Sequence, residues 1–108
     1  MIELIFELGS EVVLVVIRGK DVKFGSTTFG AKLADISGLK LSYRGVCEEF
    51  PDLELRDDWR EEACLRFKDR INLMESEEEI CQYIITELAR QGYTAKKKKR
   101  GGFRSINL

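Results

Sequence analysis

The sequence predicts an α+β domain in which an N-terminal three-stranded antiparallel meander packs on two or three helices, followed by a basic C-terminal hairpin or tail. Three observations predict it: apolar residues alternate with period two through residue 24, they recur with helical period from about residue 42 to 91, and a run of cations comes after them. With 108 residues, 44% of them apolar, the chain has material for one core and not for two. A single domain, 1–108, is therefore expected, with residues 1–30 as the meander, 38–92 as the helical part and 93–108 as the basic segment.

"MIELIFEL" places Ile2, Leu4, Phe6 and Leu8 on one face of a strand and Glu3, Ile5 and Glu7 on the other. Gly9-Ser10 suits a glycine-first two-residue turn of type II′. "EVVLVVIR" then returns with Glu11 opposite Leu8, Val13 opposite Phe6, Val15 opposite Leu4 and Ile17 opposite Ile2. Gly19-Lys20 repeats the device and sets Val22 against Ile17 and Phe24 against Val15. The middle strand is apolar on both sides, since Val12, Leu14 and Val16 fall on the second face beside Glu3, Ile5, Glu7 and Lys23. A strand of that kind is normally covered on both faces. The cover comes either from the rest of this chain or from a second subunit, which makes Val12, Leu14 and Val16 the candidate partner interface.

"GSTTFGAKLADISG" (25–38) has the glycine, serine and threonine density of a connection, with room for a short strand or turn. Ser42 caps a short helix that Pro51 ends. A longer helix starts near Asp57 or Asp58, with Trp59, Ala63, Phe67, Ile71 and Met74 as its core stripe. Ser76 and Glu79 make a capping box for the next helix, whose apolar side carries Ile80, Tyr83, Ile84 and Leu88 and which Gly92 ends. The short link between the last two predicts an antiparallel helical hairpin.

Charge is divided along the chain. Twelve of the 18 cations and all 19 acids precede residue 96, which leaves the body at about −7 and residues 96–104 at +6. The high charged fraction, 34%, with only four Asn and Gln residues, fits a thermophile's surface ion pairs. Cys47, Cys64 and Cys81 are odd in number and widely spaced, which suits free thiols in a reducing compartment better than a disulfide frame or a zinc knuckle. Glu3 and Glu7 interrupt the first apolar run, so neither a signal peptide nor a membrane span is expected and a cytoplasmic location is.

Catalytic chemistry finds little to use. Histidine is absent, Cys64 has no base beside it in the pattern, and "GSTTFG" lacks the lysine of a phosphate loop. In "PDLELR" the carboxylates of Asp52 and Glu54 sit too close in one connection, with Arg56, to resemble the acidic centre of a metal-dependent nuclease. No catalytic, cofactor-binding or metal-binding residue is expected, and the protein is read as non-enzymatic.

The basic segment carries the functional cue. Lys96, Lys97, Lys98, Lys99, Arg100 and Arg104 can neutralise phosphates, and Phe103 can stack on a base. The segment forms either a hairpin turning at Gly101-Gly102, with Tyr93 and Ala95 against Phe103 and Ile106, or a solvated tail. Two helices, a glycine and a basic hairpin also suggest a winged helix-turn-helix. Glu77, Glu78 and Glu79 at the start of the last helix argue against it, since phosphates would be repelled there. Lys20, Lys23, Lys32, Lys40 and Arg44 are the better supporting cations.

"GLKLSYRGVCEEFPDLE", "DDWREEACLRFKDRI", "YIITELARQGY" and "RGGFR" resemble small uncharacterised proteins encoded by archaea and by phages or mobile elements, over residues 38–104. The resemblance implies no activity and transfers no site residue; it implies that the end of the basic segment belongs to the domain. The reading at this stage is a non-enzymatic accessory protein that binds DNA or RNA non-specifically through its basic C-terminal segment. The alternative is a protein-interaction or homodimerisation module with a solvated basic tail.

Overall fold

A computed structural model describes residues 1–26 and 41–100, with Ser26 and Lys97–Arg100 as backbone. It is an α+β fold with four antiparallel strands and three helices: β1 (Ile2–Leu8), β2 (Glu11–Arg18), β3 (Asp21–Ser26), α1 (Tyr43–Glu49), α2 (Trp59–Asn72), α3 (Glu77–Arg90) and β4 (Thr94–Arg100). The strand order is β3-β2-β1-β4. The meander has the expected register throughout, with Ile2, Leu4 and Phe6 opposite Ile17, Val15 and Val13, and Val15 and Ile17 opposite Phe24 and Val22. Gly9 and Gly19 take φ of 60° and 57°, and no non-glycine residue among those described has positive φ. A turn with a positive φ at its first central residue alone is of type II′ and not I′.

The sheet differs from expectation in its fourth strand. Residues 94–100 do not stand apart as a tail; they pair antiparallel with β1, so β1 is an interior strand. An apolar strand such as "IELIFEL" left at an edge would present unpaired backbone for association, and β4 removes that edge. The proposed return strand through Phe103 and Ile106, and the connection over 27–38, lie outside the described residues.

One sheet face meets the helices. Ile2, Leu4, Phe6, Val13, Val15, Ile17 and Phe24 are buried there with Val46, Ala63, Phe67, Ile71, Ile80, Ile84 and Leu88. Ser42 caps α1 as expected, its Oγ accepting from Gly45 N at 3.1 Å, and Ser76 caps α3 by accepting from Glu79 N at 3.1 Å. Asp58 precedes α2 without a side-chain capping bond, and Glu61 and Glu62 supply the negative charge of its first turn.

The sequence reading pairs α2 with α3, yet the most extensive close backbone approach between helices is that of α1 with α3. Gly45 permits it: a Cβ there would fall 2.6 Å from Gln91 Nε2 and 3.0 Å from Ser42 Oγ. Gln91 Oε1 also accepts from Ser42 N at 2.6 Å, tying the start of α1 to the end of α3. Contact from α2 to α3 comes through aromatic rings, Phe67 lying 6.2 Å from Tyr83.

Candidate nucleic-acid interface

The end of α3 launches the basic strand. Tyr93 N donates to Leu88 O at 2.9 Å and Gly92 N to Ala89 O at 3.0 Å, the two bonds of a Schellman motif. Gly92 adopts φ of 94°, a left-handed conformation that glycine takes without a Cβ clash, and Tyr93 is buried directly after it. The chain therefore leaves α3 in a fixed direction and enters β4 along β1.

The β4 register contains one irregularity. Glu7 and Phe6 stand opposite Thr94 and Ala95, but Ile5 stands opposite Lys97, so Lys96 is the extra residue of a bulge. Beyond it Leu4, Glu3 and Ile2 stand opposite Lys98, Lys99 and Arg100. Thr94, Ala95 and Lys96 are exposed. The five cations Lys96–Arg100 are thus held on a strand that is the edge of the sheet among the described residues, spanning roughly 13 Å at strand rise. Phe103 and Arg104 lie outside the described residues.

The neighbouring strand limits how a polyanion can approach. Glu3 and Glu7 belong to β1, beside β4, and Glu3 is only 7% exposed with Lys99 opposite it in register. Those carboxylates would repel phosphates on the β1 side of β4. Of the other cations named from the sequence, Lys20 donates from Nζ to Asn72 O at 2.7 Å and Lys23 pairs with Asp21 at 3.7 Å. Arg44 is exposed on α1, and Lys32 and Lys40 lie outside the described residues.

The second sheet face is less open than the alternation suggests. Val16 is 6% exposed, and Val12, Leu14 and Ile5 are half-buried. As for the carboxylates of "PDLELR", Asp52 is engaged by Arg66 at 2.7 Å, which holds its carboxyl below the usual range, and Glu54 pairs with Arg56 at 3.5 Å. No disulfide joins the three cysteines; Cys64 and Cys81 are buried and Cys47 half-buried.

Sequence reasoning missed a polar cluster where the three helices meet. Arg90 Nη1 lies 3.3 Å from Glu49 Oε2 and 3.2 Å from Glu87 Oε2, and Arg70 Nη1 lies 3.8 Å from Glu49 Oε1. Burial first, then the neighbouring Glu49, pushes the Glu87 carboxyl up to about 7. Burial also raises the Tyr83 phenol, whose hydroxyl is enclosed without a hydrogen-bond partner among the described residues. Such a group contributes nothing through hydrogen bonding, so Tyr83→Phe is expected to leave stability unchanged or slightly raised, within about 1 kcal/mol, in urea unfolding. The only sequence signal was Glu87 at a helical position on the apolar side of α3.

Compared with known protein families, curated proteins and solved structures, the chain matches none.

Proposed function

We propose that the chain is a non-enzymatic accessory protein that binds nucleic acid through β4, by backbone charge and with little sequence preference. The observation that carries this reading is the run Lys96–Arg100 on an edge strand fixed at one end by the Gly92 turn and along its length by β1. An ordered array of cations loses less conformational freedom on binding than a loose tail does. Lysines on an edge strand also discourage edge-to-edge pairing, but one or two accomplish that, and four lysines and an arginine in succession exceed it.

Base readout has little support from the described residues. No aromatic side chain of β1 or β2 lies on the face that carries Ile5, Val12 and Leu14, so that face offers no stacking platform of the kind single-strand binders use. Backbone charge is left as the binding force.

The test is substitution within the strand. Lys96→Thr, Lys97→Thr, Lys98→Thr and Lys99→Thr together keep strand propensity while removing four charges. Labelled single- and double-stranded oligonucleotides are expected to bind the intact chain at low salt, and the substituted chain at least tenfold more weakly, with unchanged circular dichroism. Equal binding by both folded chains would refute the assignment to β4. Absence of binding by either would favour the protein-interaction reading, with Val12 and Leu14 as the next residues to vary.

A further inference from the structure

Glu87 lies in the last turn of α3, where the helix C-terminus already disfavours negative charge. Its side chain is 8% exposed and that of Glu49, the last residue of α1, is 14% exposed. One guanidinium nitrogen, Arg90 Nη1, contacts both carboxyls. The groups facing the pair are Glu48 from α1, Arg70 from α2, and Tyr83 and Arg90 from α3. Three carboxyls therefore meet two guanidiniums, and both Arg70 and Arg90 keep substantial solvent exposure that weakens their compensation. The Tyr83 hydroxyl is enclosed but forms no hydrogen bond that would satisfy a second buried carboxylate.

We propose that Glu87, held beside Glu49 by their common contact with Arg90, acts as a pH-sensitive latch that fastens α1 to α3 in mild acid and loosens it in mild base. With its proton present, the Glu87 carboxyl donates towards Glu49 and Arg90 neutralises the remaining charge. Without it, two nearby carboxylates repel across the α1–α3 contact. α1 is the element this would release, because a seven-residue helix has little stability of its own and depends on its docking. Its other fastenings to α3, Gly45 against Gln91 and Ser42 to Gln91, lie at the opposite end of α1. The latch does not depend on the nucleic-acid reading.

The direction of the pH effect follows from the carboxyl being raised in the folded chain. The unfolded chain releases the Glu87 proton near pH 4.5 while the folded chain keeps it until about 7, so this contribution is complete below 4.5 and lost as the pH rises through 7. The chain has no histidine to confuse that window. The Asp52 carboxyl, lowered by Arg66, acts in the opposite direction and only in stronger acid.

Glu87→Gln keeps the shape and replaces the Glu87 proton with a permanent amide donor. Between pH 5 and 8.5 the full chain is expected to show a falling thermal midpoint and a loss of amide-exchange protection in α1, after correction for intrinsic exchange, while β1 and β2 amides follow global stability. In Glu87→Gln both trends are expected to flatten, with a midpoint above that of the natural chain at pH 8. Carbon-detected titration of the Glu87 carboxyl gives an independent reading that needs no variant. An ordinary carboxylate titration for Glu87, or α1 protection that falls equally with pH in the two chains, would overturn the latch.

Discussion

Phe67→Ala is expected to lower the stability of the chain by about 3–5 kcal/mol, the range for removing a buried phenyl ring. Phe67 is 3% exposed and joins the three helices: its ring lies 5.0 Å from Phe50 at an interplanar angle of 64° and 6.2 Å from Tyr83 at 63°. Both pairs are edge-on, an arrangement favoured by the ring quadrupoles. Phe50 in turn lies under the guanidiniums of Arg66 and Arg70 at 5.6 and 5.4 Å. The ring also lines a surface pocket between α2 and β3, shared with Val22, Phe24 and Ile71 and rimmed by Lys20, Asp21 and Lys68. Urea unfolding should show a lower midpoint with an unchanged slope; a loss below about 1 kcal/mol would mean that the aromatic junction is not a principal packing centre.

Ending the chain at Tyr93 is expected to have an effect of a different kind, because it removes a sheet strand. β1 would lose six register positions opposite β4, and each ladder hydrogen bond is worth about 0.5–1.5 kcal/mol net. It would also become an edge strand with the apolar sequence "IELIFEL", a template for pairing between chains. The shortened chain should therefore elute as aggregates or oligomers and unfold at lower urea concentration, whereas the four lysine-to-threonine changes should leave a folded protein. A monomeric shortened chain of natural stability would show that β4 contributes nothing to the sheet. The contrast is why charge-removing substitution, and not truncation, is the proper test of binding.

Much of the architecture was legible in local pattern. Alternation of Ile2, Leu4 and Phe6, two glycine-first turns and the odd positions of β2 specify the meander register, because a one-residue slip would turn every apolar side chain to the wrong face. Ser42, Ser76 and Gly92 mark helix ends by capping chemistry, which is equally local. A strand after Gly92 was one of two expectations, but its partner was not legible: four consecutive lysines carry no alternation, and the pairing is with β1, a contact across nearly the whole chain. The approach of α1 to α3 escaped for the same reason, since Gly45 reads as a weak spot within a helix until Gln91 is seen beside it. The Glu49–Glu87 pair joins residues 38 positions apart; Glu87 falls on the apolar side of α3, but nothing local to it points to Glu49 as its neighbour.

The salt dependence of binding tests most directly the proposed contact of the basic strand β4 with nucleic acid. Neutralising phosphates with the five cations of β4 predicts that the logarithm of the association constant falls against the logarithm of salt concentration with a slope of about −4.5 for duplex DNA. The slope should fall toward zero in the chain carrying threonine at positions 96–99. A slope shallower than about −1 in the natural chain, or none measurable because binding is absent at low salt, would contradict the account.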